Sequence, residues 1–188
     1  MPLAIAQTLD GVKRVTQIVH SMKEFSHSGS DHKEVVDINH AIESTIVVSR
    51  NEWKYDADMI TDFDEALTAV PCYPGEFNQM ILNMIVNAAH AIKDAKGDGE
   101  QQGVITVSTS VAAEYAEIRI KDTGTGMAKE VRKHIFESFF TTKEVGKGSG
   151  QGLAIAYAVV VEKHGGAIDV VSESGQGTTF IIRLPMTG

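Results

Sequence analysis

Two asparagines on one helical stripe, an aspartate that ends a strand, and a run of alternating glycines are the residues of this chain best suited to chemistry. The stripe is Gln79, Asn83, Asn87, His90 and Asp94, spaced four, four, three and four apart, so on a helix these side chains share one face. Asparagine is a mediocre helix former, and two of them in mid-helix cost local stability. Its amide oxygen is nevertheless a hard ligand suited to Mg2+, an ion that takes few protein groups and keeps water and phosphate oxygens. Taken alone, such a stripe also describes an ordinary solvated helix face. The second feature is Asp122-Thr123-Gly124-Thr125-Gly126. A carboxylate at a strand end can accept a hydrogen bond from an exocyclic amine such as the 6-amino group of adenine, and the glycines let backbone approach a flat base. By itself the run is an everyday turn. The third is Gly146-Lys147-Gly148-Ser149-Gly150-Gln151-Gly152-Leu153, whose backbone N–H groups lead into a helix and suit an anion. It is no P-loop, because Gly148 follows Lys147 and Thr141 stands at the first glycine position. A dinucleotide fingerprint fails as well, with Gln151 or Leu153 at the last glycine. A flexible linker is the alternative, and a mobile lid over about residues 137–149 follows from the glycines.

The elements that must position these groups follow from periodicity. Residues 3–27 predict a helix, with Ile5, Leu9, Val12, Val15, Val19, Met22 and Phe25 recurring every three or four residues. Its apolar stripe either docks on the chain's own domain or completes a bundle or dimer with another segment or chain. The run Ser26 to Asp31 breaks the pattern and reads as a linker. Asn39 is placed to cap a helix reaching about Arg50, and short strands are expected near 57–63 and 68–72. Pro74 and Glu76 open a long helix to about Ala95, whose buried face is Phe77, Met80, Ile81, Met84, Ile85, Ala88 and Ile92. Val104 to Val111 and Glu117 to Lys121 alternate as an antiparallel pair. A short amphipathic helix is expected near 128–136, and Gln151 to Lys163 form another, stopped by Gly165-Gly166. Ala167–Ser172 and Thr178–Leu184 form a last hairpin about Gly175-Gln176-Gly177. The class is α+β: a two-layer sandwich of helices on a mainly antiparallel sheet.

Composition bounds the function. A chain of 188 residues, 43% hydrophobic and 22% charged, is an ordinary globular protein able to bury a core. Its formal net charge of −8 argues against a nucleic-acid surface, which carries a basic patch. The single cysteine, Cys72, excludes an internal disulfide and any cysteine-rich metal site. No apolar run approaches the roughly 18–20 residues that cross a bilayer. A cytoplasmic chain is the expectation, with a membrane anchor elsewhere in a parent protein left open.

The order of the motifs is more specific than any one of them. Asparagine stripe, strand-end aspartate, Phe-rich segment, glycine lid and Gly-x-Gly-Thr hairpin together resemble the catalytic domain of histidine kinases, the GHKL-type (Bergerat) ATP-binding fold. The resemblance covers roughly residues 31–185. The N box reads Asn83 to Ala91, the first glycine box Asp122 to Gly126, and the F box Ile135 to Lys143. The second glycine box reads Gly148 to Leu153, and the last motif Gly175 to Phe180. Ser138 departs from the usual proline of the F box, which bears on lid rigidity alone.

That resemblance implies roles. Asn87 would be the principal Mg2+ ligand, with Asn83 assisting and His90 near the phosphates. Asp122 would read the adenine amino group, with Gly124 and Gly126 seating the base and Thr178 supporting it. Lys143, Lys147 and the amides of Gly148, Gly150, Gly152 and Leu153 would hold the β- and γ-phosphates of ATP. The phospho-accepting histidine of the family precedes an acidic residue and, a little later, a proline. None of His20, His27, His32, His40, His90, His134 or His164 has that context.

The expected organisation is therefore residues 1–30 as the second helix of a truncated dimerisation hairpin with its linker, and 31–188 as the catalytic domain. The implied partners are the chain's own dimerisation and phosphoacceptor domain, a response regulator receiver domain reached indirectly, and a second copy through the first helix. Two rivals remain on the same fold. An ATPase of the gyrase, mismatch-repair or chaperone type carries a glutamate base one turn before the metal-binding asparagine, where this chain has Asn83, which takes no proton from water. A nucleotide-sensing module without transfer would differ from the kinase only in failing to phosphorylate an acceptor.

Overall fold

The computed structural model describes residues 32–67, 69–97, 102–143 and 150–187. The helix expected over 3–27, and with it the division at residue 30, lies outside them. In chain order the elements are β1 (Glu34–Val36), α1 (Ile38–Val48), a single turn α2 (Arg50–Trp53), β2 (Ala57–Asp62), β3 (Val70–Cys72) and α3 (Pro74–Lys96). They continue with β4 (Gly103–Ala112), β5 (Tyr115–Asp122), a turn α4 (Lys129–Arg132), α5 (Gly152–Tyr157), a π-helical stretch Ala158–Lys163, β6 (Ala167–Glu173) and β7 (Gly177–Pro185). Strands β2-β4-β5-β7-β6 form a five-stranded sheet in that order, and β1 and β3 a separate two-stranded ribbon. Every pairing is antiparallel except β2 with β4. The architecture is the α+β sandwich expected from the sequence.

Alternation makes one face of the sheet the core. Ile105 and Val107 of β4, Ala116, Ile118 and Ile120 of β5, and Phe180, Ile182 and Leu184 of β7 are buried on it, as a period of two requires. Helix α3 covers that face with Phe77, Met80, Ile81, Met84, Ile85, Ala88 and Ile92, all buried. Pro74 sits in its first turn, Lys93 and Lys96 lie in its last, and Gly97 closes it at φ +54°, each suited to its end of the helix dipole or cap. No helix among the described residues is long and apolar enough to cross a membrane.

Three local expectations are corrected. The cap of α1 is Asp37, which accepts from the His40 N–H at 3.0 Å. Asn39 lies inside the helix, where its amide donates to the Asp64 carbonyl at 3.0 Å and accepts from the Thr109 hydroxyl at 2.8 Å. Both residue types cap helices, and the tertiary partners on the β2–β3 connection and β4 decide between them. The helix expected near 128–136 is only Lys129–Arg132; tight turns from His134 N–H to Val131 and from Glu137 N–H to His134 follow it. The aromatic run Phe136 to Phe140 is poor helix material, and Phe139 ends it at φ +67°. The helix expected over 151–163 begins at Gly152 and widens to π geometry at Ala158, with the His164 N–H reaching the Val159 carbonyl at 3.2 Å. The widening turns both Val159 and Val160 into the core.

His164 ties this helix to the start of α3. Its Nδ1–H donates to the Val159 carbonyl at 2.6 Å, and its Nε2 accepts from the Tyr73 N–H at 3.1 Å. The bond from Tyr73 requires the neutral ring, and burial lowers its pKa below the ordinary histidine value, against the pull of the Val159 carbonyl. The stability it contributes is therefore present above about pH 6.5 and is lost as the pH falls from there through the folded-state value, because the unfolded chain takes up the proton more readily. Urea midpoints measured across that range fall with pH. In His164→Gln, which keeps an acceptor and cannot titrate, the fall is shallower; an unchanged slope assigns the acid sensitivity elsewhere.

Candidate functional site

Strand β5 delivers Asp122 to the inner face at the sheet's end, opposite Ile105 of β4 and Thr178 of β7. The residue is 3% exposed. Its Oδ1 accepts from the Gly124 N–H at 2.8 Å and the Thr178 N–H at 3.3 Å, so the carboxylate is held in one orientation. Oδ2 has no hydrogen-bond partner among the described residues and is the atom available to a ligand. Burial raises the Asp122 pKa, and the two backbone bonds pull it back.

The backbone around Asp122 is laid against α3 and the β6–β7 hairpin. The Thr125 N–H donates to the Ala91 carbonyl at 3.1 Å, and a Cβ on Gly124 would come within 2.5 Å of the Ala91 backbone. Gly177, at φ +83°, would place a Cβ 2.1 Å from the Asp122 carbonyl oxygen, and Gly126 packs on the carbonyl of Glu173. Thr178 Oγ1 and Ser172 Oγ lie 3.0 Å apart, and Ser172 also donates to the Gly177 carbonyl at 3.0 Å.

Along α3 the stripe sits at the edge of the buried face. Asn83, Asn87 and His90 are half-buried, and Gln79 and Asp94 exposed. Gln79 Nε2 donates to Asn83 Oδ1 at 3.0 Å. The start of α5 lies over the two asparagines: a Cβ on Gly152 would stand 3.6 Å from the Cβ of Asn83 and 3.7 Å from Nδ2 of Asn87. Farther along, the Lys143 ammonium meets Nδ1 of His90 at 2.9 Å. Burial lowers the pKa of His90, and the neighbouring Lys143 lowers it further; burial also lowers that of Lys143, against the pull of Asp94.

The structure thus gathers Asn83, Asn87, His90, Lys143 and Gly152 on one side, and Asp122, Gly124, Gly126 and Thr178 around the strand end, with α3 and its Ala91 contact joining the two. Leu153 packs its side chain against the core, leaving its backbone as what it can offer a ligand. Lys147 and Gly148 lie outside the described residues, as does the 144–149 part of the expected lid. Its two ends meet, however: the Phe139 N–H donates to the Gly150 carbonyl at 2.9 Å. Sequence reasoning missed Ala91, whose carbonyl holds the loop after β5, and Ser172, which braces Thr178. A small residue in an apolar helix and a serine in a strand give no signal by themselves.

These groups fit an adenine nucleotide with a hard cation. A buried carboxylate with one open oxygen suits an amine, and close-packed glycines leave room for a base. No group of three or more His, Cys, Asp or Glu that could hold a metal occurs among the described residues. A cation here would rest on amide and phosphate oxygens, the ligand set Mg2+ accepts.

Residues 73–188 match the family model described as histidine kinase-, DNA gyrase B-, and HSP90-like ATPase, and the chain belongs to this family. Sensor kinases are among its relatives. The chain is 34% identical over 184 residues to the sensor kinase CckA of Brucella abortus, covering 92% of this chain and 19% of that protein. It is 31% identical over 174 residues to the sensor histidine kinase ZraS of Escherichia coli K12, covering 92% of this chain and 35% of the relative. It therefore spans only a fifth to a third of the length of these curated relatives. Among solved structures, the catalytic domain of histidine kinase ThkA superposes with a TM-score of 0.70 at 24% identity, covering 82% of this chain and 95% of that one. The mycobacterial sensor histidine kinase MprB superposes with a TM-score of 0.66 at 28% identity, covering 81% and 97%.

Proposed function

We propose that this chain is the ATP-binding module of a two-component sensor histidine kinase, which binds Mg2+-ATP and donates the γ-phosphoryl group to a histidine on another segment. The observation that carries the reading is Asp122: a buried carboxylate fixed through Oδ1, with Oδ2 left for the adenine amine. Gly124 and Gly126 allow the base to seat, and Thr178 braces the carboxylate from β7. Asn87, assisted by Asn83, supplies amide oxygen to Mg2+, whose contribution when bound is to offset phosphate charge. Lys143, Lys147 and the amides of Gly148 to Leu153 take the β- and γ-phosphates. Phosphoryl transfer leaves little covalent chemistry to the protein, so these residues act by positioning and by charge. The partners in this reading are a helical hairpin carrying the acceptor histidine, a second copy of the chain, and a response regulator receiver domain downstream.

Asn83 favours a kinase over a hydrolase, because an amide in place of a glutamate cannot activate water. In a test with γ-labelled ATP, the chain alone takes up no stable label and releases little phosphate. A helical hairpin carrying a phosphoacceptor histidine, supplied in trans, becomes labelled, weakly, since the effective concentration of a tether is absent. Asn87→Ala abolishes that labelling and the Mg2+ dependence of ATP binding while the fold persists. Sustained phosphate release that Asn87→Ala removes would identify an ATPase instead, and binding without any labelling a nucleotide sensor.

A further inference from the structure

His90 does not present a free ring to the space where the phosphates are proposed to lie. Its Nδ1 is engaged by the Lys143 ammonium at 2.9 Å. An ammonium has three donors and no acceptor, so this bond exists only with Nδ1 unprotonated and the ring proton on Nε2. Burial and the lysine's own charge both favour that neutral ring. Asp94, one turn farther along α3, favours the charged form of both groups, and at His90 Glu52 acts with it and Lys93 against it, while burial and Lys143 are the larger influences.

The two residues come from elements of different character. His90 stands on α3, the central core helix that also carries Asn83 and Asn87. Lys143 is the last described residue before the glycine-rich segment, beyond the turn at Phe139. A lysine is a point charge on a flexible stem, and an acceptor on a rigid helix converts it into an oriented one. Once one ammonium hydrogen is given to His90, two remain for oxygens of a bound anion.

We propose that His90 is a positioning residue for the reaction: through Nδ1 it holds the Lys143 ammonium in register with the asparagines of α3, so that the terminal phosphate of ATP meets a preset charge. This rests on the nucleotide reading above and goes beyond it in giving His90 an uncharged acceptor's role.

The experiment is a double-mutant cycle read by calorimetric titration with Mg2+-ATP and Mg2+-ADP. Lys143→Met weakens ATP binding by about 10- to 100-fold, the range for a hydrogen bond to a charged group, and affects ADP less. His90→Ala reproduces a large part of the ATP loss. His90→Asn, whose Oδ1 stands where Nδ1 stood, recovers it. In the Lys143→Met background His90→Ala has no further effect. Losses that multiply, or an asparagine no better than alanine, overturn the positioning role in a chain that still binds ATP. A wild-type chain that binds neither nucleotide overturns the nucleotide reading and this role together. Nitrogen NMR of the nucleotide-free protein tests the contact independently: the His90 ring carries its proton on Nε2, and its Nδ1 resonance moves in Lys143→Met. A proton on Nδ1, or a resonance indifferent to that substitution, overturns it whatever the binding data show.

Discussion

Asp122→Asn weakens ATP binding by about 10- to 100-fold and removes the preference for ATP over GTP. Oδ1 already accepts from two backbone N–H groups, and only Oδ2 is open. An asparagine has one oxygen and one NH2 for these two directions. Turning the oxygen toward Gly124 and Thr178 preserves the turn but points the NH2 at the adenine amine, donor against donor. The opposite orientation leaves two buried N–H groups facing a donor. The first is the cheaper, so the fold survives and binding suffers by about 1.5–3 kcal/mol, the worth of a hydrogen bond to a charged group. Guanine has a carbonyl at that edge, which the NH2 of the variant can serve, so discrimination narrows from both sides. Titration of wild type and variant with both nucleotides checks this. Equal affinities of the wild type for ATP and GTP would falsify the adenine-reading role.

A large loss of stability is expected from Gly177→Ala. Its φ of +83° disfavours any side chain, and a Cβ would sit 2.1 Å from the Asp122 carbonyl oxygen and 3.1 Å from the Thr123 Cα. These obstacles are backbone, so no rotamer change relieves them. Backbone strain and overlap together cost on the order of 2–5 kcal/mol, against the roughly 5–15 kcal/mol by which a domain is stable. Gly175, in the same hairpin at φ +80°, has nothing within 4 Å of its Cβ position. Gly175→Ala therefore carries the backbone term alone, about 1–2 kcal/mol. Urea unfolding of both variants separates the two contributions, and comparable losses would show that the contact with Asp122 adds nothing.

Much of this was legible in the sequence because the signals were periodic. The alternating strands β4 to β7 and the helix α3 depend on apolar patterns that burial enforces, and each lies close to its expected bounds. What failed was local choice between near-equal alternatives. Asp37 and Asn39 both cap helices, and only Asp64 and Thr109, distant in sequence, assign Asn39 another task. The π widening after Tyr157 depends on how Val159 and Val160 meet the core, which a 3.6-residue period does not encode. At the candidate site, residue types singled out Asp122 and the asparagines, whereas the residues packed around them gave no such signal. Ala91 acts through its carbonyl, and the pairing of His90 with Lys143 joins residues far apart in the chain.

The hydrogen bond between Phe139 and Gly150 has a consequence for how this protein can vary. The ten residues between them leave and return at one point, with both ends in left-handed backbone and fastened to each other. Length added after Lys143 therefore does not displace the sheet, α3 or α5. For a flexible loop whose ends are already fixed, each doubling of length costs only about 0.6 kcal/mol. Lys143, beside His90, and Phe140, against the core, lie between the two anchors, so tolerance of added length does not extend to exchanging the whole segment.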